Sequence, residues 1–351
     1  MDSKKFSPDV QTGYLSDEKA RSYFSRVGFG AFALGVAFCV GATLLSMLAS
    51  RMLPSDLLSD KLSVAIIENL ITMLSLYCLA APIFCAVTSS LPTMRPFMSG
   101  MKFSSFLGGF AICMAAMTLG NYISNILLTW FGGIFGSIPS NPLENSISPE
   151  DPAMVIITIT FIVILAPVLE EFLFRRIICS KLLALGEGYA IFLSGAIFAL
   201  VHGNLYQIPY AFLVGSFLAF IYIKTGRLVY TILYHMLLNF IGTVIAPWVS
   251  ATANLEETMD TAVEMLTSFN VDISPEVLTK LLIVSVYSTV IMGLSVLGIV
   301  LFFIAKKRKR LALEQGILPP PKKHRVANLF FNGGVVAAIV FFSFYLIISL
   351  G

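Results

Sequence analysis

Nine stretches of this chain are apolar over lengths near the ~20 residues that a helix needs to cross the hydrocarbon of a bilayer. They cover residues 28–48, 62–87, 103–131, 153–174, 189–202, 208–223, 228–248, 281–305 and 326–350. Hydrocarbon offers a backbone no water to bond with, so spans of this kind close their hydrogen bonds internally as helices. The pattern predicts an all-α polytopic membrane helix bundle of about nine transmembrane helices. A hydrophobic content of 57% against 12% charged residues, with a mean hydropathy of +0.86, excludes a soluble globule. The fifth and sixth runs, at 14 and 16 residues, are short for full crossings. They are expected to be tilted, extended at their ends, or joined as a partly re-entrant hairpin.

Orientation follows from the basic residues, because positively charged connections are retained in the cytoplasm. Nine spans with the N-terminus cytoplasmic place 20 of the 23 Lys and Arg on that side, leaving Arg51, Lys61 and Lys280 opposite. The run Lys306 to Arg310 resembles a nucleic-acid patch, but directly after a span it reads as a positive-inside anchor that meets anionic lipid. No nucleic-acid partner is expected. The polar first 26 residues lack the short apolar core and cleavage site of a signal peptide, so the first span is expected to be an uncleaved anchor. Residues 132–152 carry four prolines and only acidic charge, and 250–275 are also acidic, with a short amphipathic helix expected near 255–269. The five cysteines read as small packing residues.

Polar side chains inside such runs are costly and mark function. They concentrate in three places: Glu170, Glu171 and Arg175; Phe198 and His202; His235 and Asn239. Helical spacing puts Glu171 and Arg175 on one face, where they neutralise each other, and leaves Glu170 without a local partner. A poorly solvated carboxylate of that kind is suited to accept and return a proton, so Glu170 is the expected base. The plainer reading is a charge cluster snorkelling at the end of a span. His202 taken alone reads as a structural histidine beside Phe198, whereas His235 and Asn239, four apart, share one stripe and suggest a shared target. Pro167, upstream of the carboxylates, frees backbone carbonyls and can kink its helix.

Together these residues fit amide hydrolysis. Glu170 with His202 would activate water, and His235 with Asn239 would stabilise the tetrahedral oxyanion. Glu170, His202 and His235 also match a catalytic zinc set, although the HExxH signature is absent. The sequence leaves the glutamate-type and zinc-dependent mechanisms open. Depth poses a difficulty: counted from the nearest basic connection, His202 lies far deeper than Glu170 or His235, so the fifth helix must tilt or shift, or Glu170 must lie deeper than Arg175 suggests.

The segments EEFLFR, FALVH and HMLLN resemble the EExxxR, FxxxH and HxxxN motifs of the CAAX-protease and bacteriocin-processing family of intramembrane endopeptidases. GSFLAFIYIKTGRL, residues 215–228, resembles the sixth-span consensus of that family. The resemblance covers roughly residues 155–246. It implies Glu170 as base, His202 as its water-orienting partner and His235 with Asn239 at the oxyanion, with Glu171, Arg175 and Phe198 in support. The expected organisation is a cytosolic tail (1–27), helices one to three with an outer loop (28–152), a catalytic core of spans four to seven (153–248), an acidic outer loop (249–280) and C-terminal helices (281–351) with a basic cytosolic linker (306–325). The expected substrate is a membrane-embedded or lipidated peptide or protein, and the expected location a bacterial plasma membrane. Two other readings stand beside it: a non-enzymatic adaptor or bacteriocin-immunity protein of the same fold, and a transporter using the ionisable residues as a proton relay.

Overall fold

The computed structural model describes residues 13–135, 151–254 and 274–349, with residues 258, 260, 261, 263 and 267. The expected outer connection at 136–150 and most of the amphipathic stretch at 255–269 lie outside the described residues. In chain order the apolar helices are α1 (Asp17–Met52), α2 (Lys61–Val87), α3 (Phe103–Gly133), α4 (Pro152–Leu185), α5 (Glu187–Val201), α6 (Ile208–Thr225), α7 (Leu228–Ala253), α8 (Pro275–Lys307) and α9 (Gly333–Ile348). Among the described residues all but α5 and α9, seven helices, are long and apolar enough to cross a membrane. The protein is a multi-pass integral membrane protein built as an all-α bundle. The first eight apolar runs have each become a helix, and the ninth is broken at Phe331-Asn332 into Arg325–Phe330 and α9; the sixth, expected to be short, reaches 18 residues, whereas α5 and α9 fall short of a full perpendicular crossing.

The helix starts are written in the sequence. Ser16 accepts a hydrogen bond from Lys19 N at the head of α1, and Asp60, Asp151 and Ser274 cap α2, α4 and α8 in the same way. Pro152 and Pro275 follow two of these caps, where the missing N–H costs nothing.

The helix interiors carry a second signature. α2, α4 and α7 each contain a wide turn in which backbone bonds run from residue i to i−5 and which is followed directly by Ala-Pro: Ala81-Pro82, Ala166-Pro167 and Ala246-Pro247; α4 has a second wide segment, Phe172–Cys179, without a proline. A proline ring collides with the carbonyl four residues back. Widening the preceding turn relieves that collision and keeps the other rungs bonded, as shown by Ala81 N–H to Leu76 O, Ala166 N–H to Phe161 O and Ala246 N–H to Ile241 O.

α4 and α5 form an antiparallel hairpin about a single residue, Gly186, whose φ of 129° suits glycine alone. α5 packs along α6, α6 also meets α3 and α7, and α3 meets α8, while α1 joins α2 and α9 on the other flank. Large apolar side chains stay exposed on the outer helices, among them Leu44, Val286, Phe303 and Ile347. In a bilayer these are the lipid-facing surface.

One end of the bundle gathers the predicted cytoplasmic connections. Leu15 N donates to Pro319 O, Met94 N to Ser180 O, Ser99 N to Thr225 O and Leu318 N to Ala184 O. Glu187, at the start of α5, accepts from Lys224 Nζ at 2.5 Å and from Glu314 N at 2.8 Å. The linker between α8 and α9 is thereby strapped to the α4–α5 hairpin. Glu187→Ala is expected to release this strap and raise tryptic cleavage at Lys322 and Lys323 on the order of tenfold, the effect of losing one charge-assisted anchor. Limited proteolysis of the protein in detergent checks it.

Candidate active site

The polar core begins on α4, one turn beyond Pro167. Glu171 and Arg175 are both 0% exposed and form a two-point pair, Nε to Oε2 at 2.9 Å and Nη2 to Oε1 at 3.2 Å. Arg175 Nη1 donates to Ser194 Oγ of α5 at 3.2 Å, and that hydroxyl donates onward to Phe174 O at 3.0 Å. The guanidinium also lies 5.0 Å from the centre of the Phe198 ring. Arg175 is therefore a structural cation inside the bundle and not a snorkelling charge at a membrane surface, because α4 continues ten residues past it to Leu185.

The depth difficulty disappears with this longer α4. Glu170 stands sixteen residues before Gly186 and His202 sixteen after it, so the two arms of the hairpin carry them to matching levels, roughly 24 Å from the turn by helix rise. The pairing of Phe174 with Phe198, twelve residues on either side of Gly186, shows the same symmetry, with ring centres 5.0 Å apart and edge to face.

Phe198 is the hub on α5. Its ring lies 4.8 Å from that of His202 and 5.7 Å from that of His235, so it stands beside both imidazoles. Gly215 of α6 makes room for it, since a Cβ there would lie 2.7 Å from a Phe198 ring carbon. His202 ends α5. Its Nδ1 lies 2.8 Å from Phe198 O, and because a carbonyl can only accept, that nitrogen donates and Nε2 is left outside the bond.

α7 supplies the third wall. His235 Nδ1 lies 3.1 Å from Glu171 Oε1, which fixes a proton on that nitrogen, and His235 Nε2 lies 3.7 Å from Glu170 Oε2. Thr231, one turn earlier on α7, stands within hydrogen-bonding reach of Glu171. Asn239, one turn later, donates from Nδ2 to Ile162 O of α4 at 2.9 Å.

Glu170 differs from every neighbour. Its side chain is 18% exposed, and Oε2 is buried without a hydrogen-bond partner among the described residues. Such an acceptor carries a desolvation cost of about 1–3 kcal/mol and is open to a donor from a ligand. Tyr77 of α2 and Tyr210 of α6 lie within electrostatic range of this carboxylate.

The structure thus gathers Glu170, Glu171, Arg175 and His235 into direct contact or near contact, joins His202 to them through Phe198, and places Asn239 one turn away on α4's backbone. Reading the sequence missed Ser194 and Thr231. The signal was present: Ser194, Phe198 and His202 recur at intervals of four, as do Thr231, His235, Asn239 and Thr243. A zinc shell would require Glu170, His202 and His235 to converge, and among the described residues no three His, Cys, Asp or Glu side chains do so. The residues as they stand are not a zinc ligand set, and the chemistry argued for the site uses only the protein's own groups.

Removing one partner of the buried pair leaves the other charge uncompensated. Arg175→Leu is expected to destabilise the protein by about 3–5 kcal/mol, whereas Arg175→Met combined with Glu171→Leu should recover much of that loss. Thermal inactivation in detergent, followed by the yield of monodisperse protein, distinguishes the two.

Comparison with known proteins matches this same region. Residues 152–241 fit the family model described as Type II CAAX prenyl endopeptidase Rce1-like. Over 144 residues the chain is 31% identical to the membrane-embedded CAAX protease MroQ of Staphylococcus aureus (strain USA300), an alignment covering 37% of this chain and 53% of MroQ. The chain thus spans about half the length of this curated relative. No solved structure matches the chain. The matched segment runs from α4 into the middle of α7 and includes Glu170, Glu171, Arg175, Ser194, Phe198, His202, Thr231, His235 and Asn239, and over it the chain is similar to Rce1-like, CAAX-protease endopeptidases.

Proposed function

We propose that this protein is an intramembrane endopeptidase that hydrolyses a peptide bond in a membrane-associated peptide or a lipidated protein tail. The observation that carries the reading is the unpartnered, buried Oε2 of Glu170, 3.7 Å from His235 Nε2 and within the family-matched segment. Glu170 removes a proton from water as the water oxygen bonds to the scissile carbonyl carbon. His202, whose Nε2 is left outside the bond to Phe198 O, orients that water. The carbonyl electrons move to oxygen, and the resulting oxyanion is held by His235 and by the second N–H of Asn239. When the C–N bond breaks, Glu170 returns the proton to the leaving amine.

His235 suits the oxyanion role because Glu171 sits on its other nitrogen. In the doubly protonated ring that this role requires, Nδ1 donates to that carboxylate and Nε2 to the oxyanion. Glu171 in turn is held by Arg175, and Arg175 by Ser194 and Phe198. The order is a reacting pair, a histidine, a carboxylate and a cation, each oriented by the next.

The remaining features fit a core of α4 to α7, close to residues 153–248, flanked by helices that face lipid. In this reading the hairpin end, where Lys224, Arg227 and the basic linker 306–325 meet, lies on the cytoplasmic side together with the N-terminus. All nine apolar helices then traverse or enter the bilayer, α5 and α9 by tilting. A bacterial plasma membrane is the proposed location.

Glu170→Ala is expected to lower cleavage by about 10²–10⁴-fold, the usual contribution of a positioned general base, and His235→Ala by about 10²–10³-fold. Both proteins should insert and fold, since neither substitution strands the Glu171–Arg175 pair. Mass spectrometry of peptides in cells expressing wild type or Glu170→Ala reads the outcome and identifies the substrate. Identical peptide profiles would remove Glu170 from the mechanism.

A further inference from the structure

The wide turn of α4 contains a missing rung. Its backbone ladder runs from i to i−5, with Ala166 N–H bonded to Phe161 O. The next rung in that register would run from residue 167 to Ile162 O, but residue 167 is proline and has no N–H. In hydrocarbon an unsatisfied carbonyl is costly. Ile162 O is nonetheless bonded: Asn239 Nδ2 of α7 donates to it at 2.9 Å.

We propose that Asn239 is a positioning residue whose amide replaces the backbone donor that Pro167 removes, and that it thereby sets where Glu170 and Glu171 stand. The two carboxylates follow Pro167 by three and four residues on the same helix. α7 then holds α4 at two points one turn apart, His235 on Glu171 and Asn239 on Ile162. One contact would let α4 pivot about it; two fix both its height and its rotation relative to His235. The bond occupies one of the amide's two N–H groups, so it is compatible with a role for the other at the oxyanion. What this placement does for catalysis rests on the endopeptidase reading, but the exchange of a side-chain donor for a backbone donor does not.

A double-mutant cycle on the full-length protein in detergent tests it, using Asn239→Ala, Pro167→Ala and the combination. Neither readout depends on proteolysis. The first is the midpoint of thermal inactivation. The second is the rate at which dicyclohexylcarbodiimide, which modifies carboxyl groups in apolar surroundings, labels Glu170, followed by mass spectrometry; this reports the placement of one side chain, which a general loss of stability would not change selectively.

With Pro167 present, Asn239→Ala should lower the midpoint by several degrees and change Glu170 labelling severalfold. With Pro167→Ala, whose own N–H can fill the rung, the same substitution should do little to either. If Asn239→Ala fails to accumulate, recovery of folded protein on adding Pro167→Ala is the expected result. Equal losses in the two backgrounds, or no recovery, would overturn the proposal. If cells of wild type and Glu170→Ala accumulate the same peptides while the cycle behaves as stated, the endopeptidase reading fails and the rung stands.

Discussion

A carboxylate and a guanidinium buried beyond the reach of water must neutralise each other where they stand, and Glu171 with Arg175 does so at the centre of this bundle. Coulomb attraction alone does not make such a pair stable in a low-dielectric interior; its remaining donors and acceptors also need partners. Here those partners come from two other helices. Ser194 and Phe198 of α5 take the outer face of Arg175, while His235 of α7 takes the second side of Glu171. The pair therefore joins α4, α5 and α7 in one arrangement, and a displacement of any of them would leave a buried charge incompletely bonded.

Backbone chemistry adds a second constraint of the same kind. Proline inside a membrane helix removes a donor that lipid cannot replace, so each proline must be accommodated locally. Pro82, Pro167 and Pro247 all follow an alanine, and all follow a widened turn. Alanine is small enough to sit in the crowded turn before the ring, and the wider register moves the colliding carbonyl away. Two of these three proline-associated turns lie on the helices that carry the carboxylates and the second histidine, which makes the local geometry of α4 and α7 depend on proline placement as well as on side-chain packing.

The sequence revealed much of this and concealed a definable remainder. The helices were legible because apolar runs of nearly 20 residues have one solution in a bilayer. The candidate site residues stood out because Glu170, Glu171, His202, His235 and Asn239 interrupt those runs. What misled was Arg175: a basic residue after an apolar stretch reads as the end of a span, and ending α4 at residue 174 put Glu170 too shallow to meet His202. The structure shows α4 continuing to Leu185, with Arg175 fully buried and Lys181 turned to Thr88 O at 3.0 Å. Hydropathy averages cannot distinguish a buried ion pair from a surface one, since the distinction lies in partners such as Ser194 on another helix. The wide turns were hidden for a related reason: Ala-Pro marks a kink in any helix, and only the bonded register shows how the kink is absorbed.

The division of labour between adjacent glutamates follows from the same geometry. Consecutive residues on a helix point about 100° apart, so one partner cannot serve both. Arg175, four residues on, shares a face with Glu171 and takes both of its oxygens, with His235 added. A carboxylate so fully bonded has little left to offer a proton in transit. Glu170, turned to the margin of the core, keeps an oxygen that no neighbour satisfies and touches His235 only at the length of a weak ionic contact. Which of the two carboxylates is left open to a ligand is thus set less by its being a glutamate than by which glutamate Arg175 can reach.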